Sequence, residues 1–184
     1  MNENNLETAI LGGGCFWCVE AVFEGLTGVI SVMPGYAGGD SPIGKAHPTY
    51  EQVSGGETGH AEVIKVEFDP SRISYKNLLT VFFATHDPTT LNRQGNDVGT
   101  QYRSMILYTT EGQKNQAQDF IKELGAGVVT EVKHLDKFYE AENYHREYYR
   151  KNPDQAYCQL VINPKIEKLK KQFSNLLKSH HKNN

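Results

Sequence analysis

The chain has little cysteine, three residues in 184, and a single tryptophan. So few thiols, and an odd number of them, argue against a structural disulfide framework and for thiol chemistry. No apolar run is long enough to span a bilayer. The first residues, Met1-Asn-Glu-Asn-Asn5, have neither the basic start nor the apolar core of a signal peptide, so a cytoplasmic location is expected. An excess of one charge is missing as well. Nineteen Lys and Arg against 22 Asp and Glu leave a formal charge of −3 and a pI near 6.2, which gives nucleic acid no footing. There is no second Cys-Xaa-Xaa-Cys, and the one closely spaced histidine pair, His180-His181, sits in a polar tail, so no metal site is expected. At this length residues 1–184 read as one catalytic-sized domain with polar tails at about 1–6 and 179–184.

What the chain does have is concentrated in Gly12-Gly-Gly-Cys-Phe-Trp-Cys-Val-Glu20. Upstream, Glu7 to Gly12 carries a short apolar run suited to a buried strand; downstream, Phe16, Val19, Val22, Phe23 and Leu26 recur at helical spacing. Cys15 therefore falls at a strand-to-helix turn, where unpaired amides and the helix dipole favour a thiolate. The glycines before it allow unusual backbone conformations and leave space for a substrate.

Strand-like segments follow at Val29 to Tyr36, Ala61 to Phe68, Arg103 to Tyr108 and Thr130 to Leu135. Ser74 is placed to cap a helix carrying Leu78, Leu79, Phe82 and Phe83, and Thr110 with Gln113 resembles a capping box for a third. Asn163-Pro164 reads as cap and first turn of a last helix with Ile166, Leu169, Phe173 and Leu176. The order predicts an α+β fold: a two-layer sandwich with a ferredoxin-like βαββαβ core and an extra C-terminal helix.

The long Gly- and Pro-rich connection from Gly35 to His60 has the length of a functional loop, and Tyr36 and Tyr50 within it weigh against disorder. It leads into Ala61-Glu-Val-Ile-Lys-Val-Glu-Phe68, where alternation puts Glu62 on the face of Ile64, Val66 and Phe68. A carboxyl there is desolvated, its pKa rises, and it is fit to act as a general acid. Asn96 to Ser104 gathers Asp97 and Tyr102 in a turn before a strand, and Cys158 follows a proline-led turn, either as a second redox thiol or as a buried strand cysteine.

Six stretches then carry a resemblance: Gly14-Cys-Phe-Trp-Cys-Val-Glu20, Gly35-Tyr-Ala-Gly-Gly39, Pro48-Thr-Tyr50, Thr58-Gly-His-Ala-Glu62, Asn96-Asp-Val-Gly-Thr-Gln-Tyr-Arg103 and Phe138-Tyr-Glu-Ala-Glu-Asn-Tyr-His145. Taken in order they resemble the peptide methionine sulfoxide reductase A family from about Thr8 to about Pro164. The resemblance implies thiol-dependent reduction of the S epimer of methionine sulfoxide, free or in proteins, with no bound cofactor and no metal. It implies Cys15 as the nucleophile, Glu62 as the acid, Tyr50 and Tyr102 as phenols that bind and polarise the sulfoxide, and Asp97 in the polar network. Phe16 and Trp17 match the aromatic pair around the substrate methyl group. Cys15 would become a sulfenic acid, then an intramolecular disulfide returned by thioredoxin, or by dithiothreitol in vitro. The expected partners are thioredoxin and oxidised substrate, with no nucleic acid or membrane, and the chain is expected to act as a monomer in repair of oxidative damage.

Relatives often carry glycine where this chain has Cys18 and use cysteines near the C-terminus. Cys158 matches the first of those positions, but no second cysteine follows. Cys158 is preferred as the resolving thiol, with Cys18 the alternative, because Cys18 lies one turn into the helix and reads as packed. A general Cys-Xaa-Xaa-Cys disulfide oxidoreductase and a Cys/His metal module, drawing on Cys15, Cys18, His60 and His145, are the competing classes.

Overall fold

A computed structural model describes residues 6–40 and 47–178; the two polar tails and the His180-His181 pair lie outside the described residues, as does part of the long connection. In chain order the elements are β1 (Glu7–Gly13), α1 (Phe16–Glu24), β2 (Val29–Ala37), α2 (Tyr50–Ser54), β3 (Ala61–Phe68) and α3 (Tyr75–Thr85). A small hairpin of β4 (Arg93–Gln94) and β5 (Asp97–Val98) follows, then a 3₁₀ turn at Thr100–Tyr102, β6 (Ser104–Tyr108) and α4 (Glu111–Leu124). The last third holds β7 (Glu131–His134), β8 (Phe138–Glu140), α5 (Tyr148–Lys151), a π-helical turn at Cys158–Ile162 and α6 (Asn163–Gln172).

Six strands form one mixed sheet in the order β7-β6-β1-β3-β2-β8. The run β6-β1-β3-β2 is antiparallel throughout, while β6 and β7 are parallel. Alternation sorts the side chains: Ala9 and Leu11 of β1 join Ile64, Val66 and Phe68 of β3 in the main core beneath α1 and α3. Ile10, Val63, Met105 and Leu107 form a smaller cluster on the other face. Each fully buried Leu or Phe in such a core is worth about 1.5–3 kcal/mol.

Helix starts follow the expected chemistry in part. Ser74 Oγ accepts from Asn77 N, and Thr110 accepts from Gln113 N. The Gln113 side chain, however, caps Thr109 instead of Thr110 and donates to Thr8 O at 2.7 Å, tying α4 to β1. Asn163 is not a cap. The π-helical turn at Cys158–Ile162 runs straight into α6, and Asn163 Oδ1 instead accepts from the Tyr149 hydroxyl at 2.6 Å. The same turn corrects the reading of Cys158 as a strand cysteine. The chain leaves α6 at Gln172, so Phe173 and Leu176, expected within that helix, lie beyond it, Leu176 in a 3₁₀ turn that leads to a bridge between Leu177 and Leu26. Missed altogether were α2, started by a full capping box between Thr49 and Gln52, the β4–β5 hairpin, the edge strand β8 and the short α5.

Gly14 turns β1 into α1 at φ 93°, a conformation that side chains disfavour. A Cβ there would also stand 2.7 Å from the side chain of Gln94. Gly14→Ala is therefore expected to lower unfolding free energy by about 1–3 kcal/mol, read from urea denaturation; an unchanged midpoint would remove the requirement for glycine.

Candidate active site

Cys15 sits at the N-cap of α1 and lines a cavity of about 190 Å³ together with Phe16, Trp17, Tyr50, Glu62, Asp97, Tyr102 and Tyr157. Apart from the two candidate resolving thiols, every site residue anticipated from sequence opens onto this space. They come from five places: the head of α1, the head of α2, the start of β3, the β4–β5 hairpin and the 3₁₀ turn after it.

Glu62 is 2 % exposed, on the core face of β3 as alternation required. Its Oε2 accepts from Phe16 N, the first amide of α1, at 3.0 Å. Burial, aided by the nearby Asp97 charge, pushes its pKa up to about 8, so the carboxyl holds its proton at neutral pH. Desolvation also raises the phenols of Tyr50 and Tyr102, keeping both as hydrogen-bond donors.

The thiols depart from expectation. Cys15 does not gain a lowered pKa from the helix start. It is 8 % exposed, and burial first, then the hydrogen bond with Cys18, raise it. Cys18 is the member of the pair that is lowered, by the hydrogen bond from Cys15 and, more weakly, by the charge of Lys165. Cys18 Sγ also lies 3.7 Å from Tyr157 Oη, whose hydroxyl donates to Asp97 Oδ2 at 2.9 Å. Cys158 is fully buried beside Cys15, Cys18 and Ile162, and it raises no claim on the substrate cavity, which it does not line. All three thiols are free.

The aromatic wall is held from behind. Tyr148 stacks on Trp17 with ring centres 3.7 Å apart, and the indole N–H donates to His145 Nδ1 at 3.2 Å. Glu142 accepts from the Tyr36 hydroxyl at 2.7 Å and from Tyr50 N at 2.9 Å, tying the start of the long connection to the head of α2 within it. Glu20, 1 % exposed in α1, accepts from Glu147 N at 2.8 Å and Tyr148 N at 3.3 Å. Glu147 is left-handed at φ 55°, so this carboxylate pins an unfavoured backbone at the start of α5. Tyr157, Glu20 and Tyr148 had no functional reading in the sequence. A glutamate at the inner face of an amphipathic helix, as Glu20 is beside Phe16 and Phe23, was the available signal.

Among the described residues no group of three His, Cys, Asp or Glu is set to hold a metal, and no helix is long and apolar enough to cross a membrane. Residues 7–177 match the family model described as peptide methionine sulfoxide reductase. The chain belongs to the peptide methionine sulfoxide reductase family. It is 56% identical over 172 residues to the protein named peptide methionine sulfoxide reductase MsrA of Sulfolobus acidocaldarius, covering 91% of this chain and 96% of that one. The similarly named protein of Acinetobacter baumannii strain AYE is 54% identical over 177 residues, covering 95% and 100%. Reduced Mxr1 from Saccharomyces cerevisiae superposes with a TM-score of 0.77 at 32% identity, over 85% of this chain and 91% of that one. This reductase is accordingly an oxidoreductase, built as a mixed α/β fold of the kind seen in those structures.

Glu20→Ala strips the partner from two backbone amides and is expected to cost the reductase about 1–3 kcal/mol of stability. With Tyr148 released, emission from Trp17, the sole tryptophan, should shift; unchanged emission and stability would deny Glu20 its role. The two raised carboxyls also set a pH trend. The unfolded chain ionises them near 4.5, the folded one only at about 7 for Glu20 and about 8 for Glu62. The stability they confer is full below about pH 4.5 and lost as pH rises to about 8.

Proposed function

We propose that the chain reduces the S epimer of methionine sulfoxide, protein-bound or free, to methionine through a Cys15 sulfenic acid and an intramolecular disulfide recycled by thioredoxin. One observation carries the reading. The Cys15 thiol, a protonated buried carboxyl at Glu62 and aromatic walls at Phe16 and Trp17 meet in one small cavity.

The chemistry follows from that meeting. A sulfoxide oxygen leaves poorly until protonated, and Glu62 supplies the proton while Tyr50 and Tyr102 donate to the same oxygen. Cys15 sulfur attacks the sulfoxide sulfur, its own proton passing to the polar cluster, and the oxygen transfers to give methionine and a Cys15 sulfenic acid. Phe16 and Trp17 enclose the S-methyl group, and a chiral sulfur with oxygen toward Glu62 and methyl toward Trp17 accounts for the choice of epimer. A second thiol then attacks the sulfenic acid, forming a disulfide and water.

Sequence favoured Cys158 for that step. The Cys18 thiol, lowered to about 7 where burial raises Cys158, supports Cys18 instead, and Cys15 and Cys18 line one wider cavity that Cys158 does not reach. A cap-to-third-residue pair at a helix head is also suited to bridging. Mxr1 has been solved in complex with Trx2; for this chain the disulfide product is what argues for a dithiol reductant. The remaining elements of the reading are a single catalytic domain with a ferredoxin-like core in β6-β1-β3-β2, no bound cofactor, and a cytoplasmic monomer engaged in repair.

Single-turnover reduction without added reductant tests it. Reduced wild type should yield methionine from the S epimer only, and Cys15→Ser none. Glu62→Gln should slow the step about 10²–10⁴-fold. The wild-type rate should fall as pH rises through about 8, where Glu62 loses its proton, and Glu62→Gln should lack that limb. Methionine production by Cys15→Ser would refute the assignment.

A further inference from the structure

A slot of about 350 Å³ separates the first half of β2 from α5. Strand pairing explains why it is there. β8 covers β2 only from Gly35 to Ala37, with Ala141 N donating to Pro34 O beside it, and at the other end Thr27 N donates to Leu176 O. Between those contacts the run from Val29 to Met33 has β3 on one side and, among the described residues, no strand on the other. Pro34 O faces the β8 side, so two residues earlier Val32 turns its own N–H and C=O toward the slot. Ile30, 46 % exposed, adds an apolar contact. Opposite this edge stand Arg146, Arg150, Lys151 and Lys178, with the carboxylates Glu24 and Glu147. Four cations against two carboxylates give the lining a net charge of +2, in a chain whose formal charge is −3. Arg146 Nε is buried and has no hydrogen-bond partner among the described residues.

We infer that this slot is an exosite for polypeptide substrates: it takes an extended acidic segment, a few residues from the oxidised methionine, as an added strand beside Val29 to Met33. The inference rests on the reductase reading. An open sheet edge offers backbone hydrogen bonds to any extended chain, and the cations select which chain. Position ties the slot to the chemistry. Glu147 lines the slot, and the next residue, Tyr148, stacks on Trp17, a wall of the substrate cavity. The start of α5 thus stands between the two spaces, a separation that a few extended residues span at about 3.3 Å each. A segment free to add as a strand belongs to flexible or unfolded chain, and that defines the substrate class. A second copy placing its own β2 edge there would bring two cationic sets together, which charge opposes.

Steady-state assays with dithiothreitol test this on synthetic peptides that carry one methionine sulfoxide, a Gly-Ser spacer of about two, four or six residues, and a tail of glutamates or of lysines. At the best spacer length the glutamate peptide should have a KM about fivefold or more below that of the lysine peptide, the gap shrinking as salt is added. Arg150→Glu with Lys151→Glu, both exposed on α5, should remove the gap, and so should Val32→Pro, which deletes the edge N–H. KM and kcat for free methionine sulfoxide should be unchanged in both variants. Should Val32→Pro disturb folding, seen as lost activity on the free sulfoxide, the charge reversal decides alone. Equal KM for the two peptides at every spacer would overturn the inference, as would a preference that survives either change in enzyme active on the free sulfoxide. A solution dimer that the charge reversal dissociates would give the slot to a second copy and overturn it too. Failure of the reductase reading shows separately, as no methionine from the free sulfoxide.

Discussion

One hydrogen bond organises the site: Phe16 N to Glu62 Oε2. A carboxyl sunk in an apolar core face needs a partner, and the first amide of α1 is the donor in reach. The bond fixes α1 against β3, and by doing so sets an acid beside the cap residue, Cys15. Burial first, then the neighbouring Cys18, raise the pKa of the thiol at the helix start. The first amide of α1 goes to the Glu62 carboxyl. Even with that help burial prevails and Glu62 remains protonated. The result is a neutral acid and a neutral thiol facing a neutral substrate, an arrangement that needs no isolated buried charge before reaction begins.

Carboxylates repeat this tying role around the cavity. Glu142 gathers Tyr36 and Tyr50, Asp97 orients Tyr157, and Glu20 clamps the turn whose Tyr148 stacks on Trp17. Each aromatic wall is thus set by an acid on a different element, and the walls converge only when the sheet is complete. Such rigidity matters to any contact made by shape, because dispersion falls off steeply when a wall moves by a fraction of an ångström.

The sequence was most informative where periodicity and local chemistry agree. The alternation in Ala61 to Phe68 located Glu62 on the buried face, and the 3.6-residue spacing after Cys15 located α1. Burial on the far side of a fold is a tertiary quantity, so the raised Cys15 pKa and the lowered one at Cys18 were beyond it. The π-helical turn at Cys158–Ile162 was misread because Gln-Leu-Val-Ile looks like a strand, and only packing against α1 and the thiols decides otherwise. Glu20 was passed over for a related reason: a glutamate in a helix is normally solvated, and its partners, the amides of Glu147 and Tyr148, lie far along the chain.

The two cavities follow from what the acid requires. Glu62 keeps its proton because its surroundings are dry, and any entrance wide enough for a protein loop would admit water and lower its pKa. Reduction, by contrast, needs a macromolecule within bonding distance of a sulfur. These demands conflict at a single mouth, and a vicinal pair of thiols reconciles them. Cys15 lines both cavities and Cys18 only the wider one.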